Sequence, residues 1–219
     1  MKNSVLNSFG QGIYTAADAA RILKVPYSKA NYWFRYYAKH KFATSDFKYH
    51  FHVRDIVAVN FLTLIEMYVF YTLKEKGVKT NDIMEAHSVM ADFLKTPYPF
   101  AKEDIYLNNK ALLFSHKDLL ISADKKLQTV IVQILKPFLS KIQFNDDRMA
   151  NRFYPMGKKK TIVVNPENQF GQPVIEGTNI LAQTVFLLSE AGESKKSIAK
   201  LYDLNIKQVS DAIEFSNAA

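Results

Sequence analysis

The chain has 219 residues, 48% hydrophobic and 13% aromatic, which is ample for a packed core and excludes a globally disordered chain. It carries a formal charge of +8 and no cysteine, which excludes disulfides and thiolate metal sites and fits a reducing cytoplasm. The charge is uneven: residues 1–60 are net +6, residues 61–164 net +5 and residues 165–219 net −3, a basic front that attracts phosphate and an acidic rear that does not.

Residues 1–12 lack a charged head before a long apolar core, so they read as a loose arm rather than a signal peptide. The stretch Tyr14–Lys41 then predicts two helices joined by a tight turn. Thr15 is a good N-cap. Ala16, Ala17, Ala19, Ala20, Ile22 and Leu23 give a short helix that a neighbour can approach closely. Lys24-Val25-Pro26 breaks it, because proline disfavours helix in the residue before it. Ser28 is expected to cap a second helix over about Lys29–His40, with Ala30, Trp33, Phe34 and Tyr37 on one side. Lys29, Asn31, Tyr32, Arg35 and Lys39 cover the rest. A short helix, a turn and a basic helix with a buried aromatic is the helix-turn-helix pattern, whose second helix meets base edges in the major groove. The competing reading is a helical hairpin with a solvated basic face. Trp33 reads as the core anchor rather than a base-stacking residue.

Phe47, Tyr49, Phe51 and Val53 alternate with Lys48, His50 and His52, the period of a strand, with Thr44-Ser45-Asp46 as its turn. A short hairpin here would be a wing, placing Lys48, His50 and Arg54 near the duplex backbone or minor groove. His50 and His52 could form half a metal site, but no carboxylate or cysteine is near in sequence. They read as solvated.

Asp55 is expected to open a long apolar helix, Ile56–Glu75. Its eighteen-residue run from Ile56 to Leu73 holds one charge, and about 18–20 apolar residues can span a bilayer. Asn60, Thr63, Glu66 and Tyr68 interrupt the run, so burial between the winged domain and a partner subunit is the better account. Gly77 stops it. A further amphipathic helix follows, capped by Thr80 or Asn81, through Ile83, Ala86, Val89, Met90, Phe93 and Leu94. Pro97 and Pro99 end it, and His87 on it reads as a surface or locally bonded histidine.

Residues 100–164 suggest a small antiparallel sheet: a hairpin of Ile105–Leu107 and Ala111–Phe114, a helix over Gln128–Leu135, strands Ile142–Phe144 and Asn151–Tyr154 flanking the turn Asn145-Asp146-Asp147, and a strand Thr161–Val164. Asp146-Asp147 reads as turn chemistry rather than a nuclease metal pair. Lys158-Lys159-Lys160 reads as a solvated loop that could add a phosphate contact. The extended turn Gly171–Thr178 leads into three helices, Leu181–Ala191, Lys195–Tyr202 capped by Ser194, and Ile206–Asn217 capped by Asn205. No repeat of fixed period is visible. The C-terminal unit can itself be drawn as a helix-turn-helix, but its last helix sets Lys207 against Asp211 and Glu214 and the unit as a whole is net negative, which assigns it to dimerisation or protein partnering.

The fold class expected is mainly α with a small β component: an N-terminal winged helix-turn-helix domain (residues 1–97), a small α+β connecting region (98–164) and a C-terminal three-helix domain (165–219). Tyr14–His87 resembles the MerR-like winged helix-turn-helix, on Tyr14-Thr15, Ala19–Leu23, Asn31-Tyr32-Trp33, the wing and Gly77-Val78 with Ile83. Asn31 stands where that family usually has arginine, and asparagine bonds adenine edges. Asn165–Ala219 resembles the domain of unknown function 433, on Pro166, Gly171–Ile175, Gly177-Thr178, Gly192–Ser194, Tyr202 and Phe215. Together they resemble full-length VapB-type antitoxins, which implies a bacterial type II toxin–antitoxin module whose antitoxin binds its own promoter and blocks a PIN-like ribonuclease toxin.

The expectation is therefore a cytoplasmic DNA-binding autorepressor, not an enzyme, with no cofactor, no membrane association and a homodimeric state suited to two half-sites. Ser28, Lys29, Asn31, Tyr32 and Arg35 would face the groove, with Lys39, Lys41 and Lys48 on phosphates. A MerR-type regulator sensing a small molecule through residues 100–164, or a protein-binding scaffold that never touches DNA, are the alternatives.

Overall fold

A computed structural model describes residues 11–36, 49–53, 55–102 and 140–217. The chain begins with β1 (Tyr14–Thr15), α1 (Ala16–Leu23) and α2 (Tyr27–Tyr36), followed by β2 (Phe51–Val53), β3 (Ile56–Val59), α3 (Phe61–Glu75) and α4 (Thr80–Leu94). A 3-10 turn at Pro99–Ala101 closes this part. Then come β4 (Ile142–Phe144), β5 (Ala150–Phe153), β6 (Ile162–Val163), β7 (Val174–Ile175) and the helices α5 (Ala182–Glu190), α6 (Lys195–Tyr202) and α7 (Ile206–Asn217). Helices dominate and the sheets are small and antiparallel, the expected class.

Local chemistry explains α1. Thr15 accepts the Asp18 N–H at 3.2 Å, and the Thr15 N–H donates to the Asp18 carboxylate at 3.0 Å, a reciprocal capping box. Lys24 ends the helix in the left-handed region. Ser28 is not the cap of α2. The helix starts one residue earlier, on the Pro26 carbonyl, which accepts from Lys29 and Ala30, and Ser28 lies inside the first turn. Proline fits this entry because its own missing N–H and fixed φ suit a helix start.

The sheet order is β1-β3-β2, with Phe51 opposite Ala58 and Val53 opposite Ile56. This corrects the expected Ile56–Glu75 helix. Ile56–Val59 is a strand, and Asn60 restarts the chain by accepting the Thr63 N–H at 2.8 Å. Three β-branched residues in four favour the strand, and the run that looked like one long helix is a half-buried strand followed by a buried helix. The hairpin turn within the described residues falls beside Asp55; the expected turn at Thr44–Asp46 lies outside them, as do the expected elements at 105–114 and 128–135. Helix α3 has fifteen residues and is buried almost all round, as an all-apolar helix must be. Among the described residues no helix is long and apolar enough to cross a membrane. Helix α4 starts after Lys79 with no side-chain cap, so neither Thr80 nor Asn81 plays that part.

One core gathers Tyr14, Ile22, Trp33, Phe34 and the buried side of α3 with Phe100, Ile142, Phe153 and Val164. Burial of each such large side chain contributes about 1.5–3 kcal/mol. Strands β4 and β5 form the hairpin predicted around Asn145–Asp147, and Phe153 bridges to Val164. A second core joins Ile162 and Ile175, from the β6–β7 pair, to Val185, Ile198, Val209 and Phe215 of the last three helices. Strand β7 lies within the segment expected as a plain turn.

Candidate nucleic-acid interface

Helix α2 has two sides. Ala30, Trp33 and Phe34 face the core, and the Trp33 ring packs on Tyr71 of α3 at 4.9 Å between centroids. Ser28, Tyr32 and Arg35 are exposed at positions i, i+4 and i+7, one stripe of the helix surface, with Tyr32 52% accessible. Asn31 is half-buried at the edge of that stripe. Five of the eight residues expected at the groove or on phosphate are therefore together on one short helix. Lys39, Lys41 and Lys48 lie outside the described residues.

Lys29 is exposed but engaged. Its ammonium is 2.9 Å from a Glu75 carboxylate oxygen and 5.1 Å from the Tyr71 ring centroid. The Glu75 hydrogen bond lifts the amine above its ordinary value. The pair ties the start of α2 to the end of α3, and Glu75 has no signature in the local sequence.

Lys24, in the turn between α1 and α2, points toward the C-terminal part of the chain. Its ammonium donates to the Phe215 carbonyl near the end of α7 and lies 3.8 Å from the Phe215 ring centroid. Burial, helped by the nearby Arg21 guanidinium, lowers its pKa to about 8. Arg21 itself bridges Asp18, at 3.2 Å, and the Gln172 side-chain oxygen, at 2.5 Å. The Ile13 N–H donates to the Phe170 carbonyl at 3.1 Å. The first helix and turn are thus fastened to the C-terminal part by contacts spread over residues 13–24.

On the hairpin, the His50 and His52 rings meet edge to face at 5.6 Å, and His52 is exposed. Arg54, expected beside them, is outside the described residues. His87 is not a surface histidine. It is buried, 2.9 Å from the carboxylate of Glu66, which is buried in turn and also accepts the Ala101 N–H at 3.0 Å. Burial raises the Glu66 carboxyl pKa, against the pull of His87. The lone charge in the apolar run of α3 was the signal that could have found this pair.

The C-terminal part contains a second network. The Asp211 carboxylate accepts from Lys207 at 2.7 Å, from Lys160 at 3.1 Å and from the Thr161 N–H at 3.0 Å. Burial alone would raise its pKa, but those hydrogen bonds outweigh it and hold it at about 2. Lys160, expected in a solvated loop, also bonds Glu214 at 2.7 Å. Lys160 and β6 pack with α7, so the acidic excess counted from residue 165 is balanced once the preceding residues are included: residues 154–217 hold seven lysines and seven carboxylates.

Comparison with known proteins places these features. Residues 162–216 match a family described as a protein of unknown function, DUF433. The match begins at β6 and runs almost to the end of α7, covering the resemblance read from residue 165 onward. Over 94% of its length the chain is 22% identical to 94% of a Mycobacterium tuberculosis protein named "Putative antitoxin VapB45". A second protein of that organism, the uncharacterized protein Rv2308, is 34% identical over 55 residues, 25% of this chain and 23% of that one. The crystal structure of Rv2018 from Mycobacterium tuberculosis superposes with a TM-score of 0.72 at 21% identity, covering 91% of this chain and 96% of the other. At that identity the likeness is one of fold.

Proposed function

We propose that this protein is the antitoxin of a toxin–antitoxin pair and represses its own operon by binding DNA. The observation that carries the reading is the end-to-end similarity to a protein named as an antitoxin. Helices α1 and α2 act as a MerR-like helix-turn-helix, and the β2–β3 hairpin is its wing. The solvent stripe Ser28, Tyr32 and Arg35 enters the major groove, with Asn31 at its edge positioned for an adenine. Lys39, Lys41 and Lys48 neutralise phosphates, and a homodimer reads two half-sites. The partner is a PIN-like ribonuclease toxin, and the chain works in the cytoplasm without catalysis.

The test has two arms. The purified chain is titrated with the duplex upstream of its own gene at several salt concentrations, and separately with the product of the neighbouring reading frame. Salt-dependent binding to the first and a stable complex with the second are expected. No preference for that duplex over a scrambled one removes the repressor role, and a neighbour product that stays free removes the antitoxin role.

A ligand-responsive regulator is favoured by one observation. A cavity of about 210 Å³ lies between the start of α3, the β4–β5 turn and residues 165–167, lined by Leu62, Met149, Asn145, Asn151 and Arg152. The Asn151 side-chain oxygen is buried without a hydrogen-bond partner among the described residues. A melting temperature that rises with a small metabolite, and does so less in Asn151→Ala, would support this role.

A further inference from the structure

The chain contains the same backbone device twice, at an offset of 179 residues. Thr15 and Ser194 cap eight-residue helices, α1 and α6. Lys24 and Asp203 end them in the left-handed region, at φ 57° and 53°. The carbonyls of Ala20 and Ala199 accept from Val25, at 3.1 Å, and Leu204, at 2.9 Å, and both of these side chains are buried. A second helix follows each time after a three-residue turn. The sequence hides this because only the alanine is identical among these pairs.

The two copies differ in what covers the first helix. On α1 the face that carries Asp18, Arg21 and Ile22 is occupied: Gln172 bonds both charged side chains, and Ile22 is fully buried. The matching face of α6 carries Ser197, Lys200 and Leu201, with Lys196 one turn before Lys200. All four are exposed, and Leu201 is 67% accessible where its counterpart is 0%. Lys196 and Lys200 make no ion pair among the described residues, and α6 contains no carboxylate.

We infer that this face of α6 docks an acidic, leucine-type segment of a partner protein, which fills over Leu201 the place that the chain itself fills over Ile22. Charge decides the occupant. A second copy packed α6 to α6 would set lysines against lysines with nothing to offset them. A duplex would find the lysines but gain nothing from Leu201, and the acidic groups of α7 already hold Lys160 and Lys207. An apolar side chain flanked by two cations that make no ion pair among the described residues matches an apolar anchor flanked by Asp or Glu. The inference rests on the reading that the chain engages a partner protein, and it names the surface.

The full chain is expressed in its native host with Ser197 replaced by p-benzoylphenylalanine, and in parallel with the exposed Asn179 replaced. After illumination, the cross-linked peptides are sequenced. The expected result is a single protein adduct at position 197, absent at 179, whose peptide bears Asp or Glu beside a Leu, Ile or Phe. Adding Leu201→Glu, or Lys196→Glu with Lys200→Glu, should abolish that adduct while the melting temperature and the duplex affinity stay at their original values. An adduct to a second copy of the chain, to DNA or to a peptide without carboxylates overturns the inference, as does no adduct or one that survives both charge changes. If the acidic peptide belongs to a protein other than the neighbouring gene product, the surface stands and the antitoxin role falls.

Discussion

Single side chains decide two questions here. Arg35 is the one described arginine on the exposed stripe of α2, and its side chain is exposed. Arg35→Ala should therefore weaken binding to the operator duplex by about 1–3 kcal/mol, roughly five- to 150-fold, with an unchanged melting temperature. Filter binding at several salt concentrations measures it; equal affinity would remove α2 from the groove. Glu66 is the opposite kind of residue, a carboxyl buried inside the core. Burial raises its carboxyl pKa, against the pull of His87 2.9 Å away, while its other oxygen accepts the Ala101 N–H. Because its pKa is raised in the folded state, its stabilising contribution is complete at acid pH and declines as pH climbs through the folded value. Glu66→Gln keeps the acceptor for the Ala101 N–H and a polar group beside His87 and should cost less than about 1 kcal/mol, whereas Glu66→Ala removes both contacts from the core and should cost about 3 kcal/mol. Denaturant melts distinguish them, and equal losses would mean the pair acts by volume alone.

At the scale of elements, signals carried within a few residues were legible. The Thr15 box, the Ser194 cap, Gly77 and the Pro97–Pro99 stop marked α1, α6, α3 and α4 because each acts over one turn of chain. The β3–α3 boundary was not legible. Ile56–Val59 and the first turn of α3 form one apolar run in the sequence, although Ile56 is exposed in the structure, so neither shows the alternation or the one-sided stripe that tells strand from helix. Partners distant in sequence were equally invisible: Glu75 for Lys29, Phe215 for Lys24 and Asp211 for Lys160 are chosen by packing. Of the expected interface, the exposed stripe of α2 was readable from its spacing alone, while the withdrawal of Lys24 from the basic surface was not. The Asp211 network gives the element scale its own prediction. Its carboxyl falls from an ordinary value of 3.8 to about 2, so it contributes stability above pH 4 and loses it as pH drops toward 2. The loss should be about 2 kcal/mol. Thermal melts of the full chain at pH 4 and pH 2 should show that component in the wild type and lack it in Asp211→Asn. The same acid sensitivity in both proteins would place the titration elsewhere.

For the whole molecule, the question is how the surface on α6 is joined to the surface on α2. The seam runs along Ile13, Tyr14, Arg21 and Lys24 on one side and Phe170, Gly171, Gln172 and Phe215 on the other. Gly171 is its tightest point. Its φ is +82°, and a Cβ there would come within 2.0 Å of the Tyr14 hydroxyl oxygen. Tyr14 is fully buried and cannot swing aside; burial also drives its hydroxyl pKa upward, and that oxygen has no hydrogen-bond partner among the described residues. Gly177 offers an internal control, since its φ is +80° but nothing lies within 4 Å of its missing Cβ. Gly177→Ala should cost only the left-handed strain, about 1–2 kcal/mol. Gly171→Ala adds a steric clash to the same strain and should cost at least about 2 kcal/mol more. It should also expose the seam, so that limited proteolysis cuts near residues 168–172 before the C-terminal helices melt. If both alanines melt alike, the two halves are held together elsewhere, and a partner seated on α6 would have no rigid path to α2.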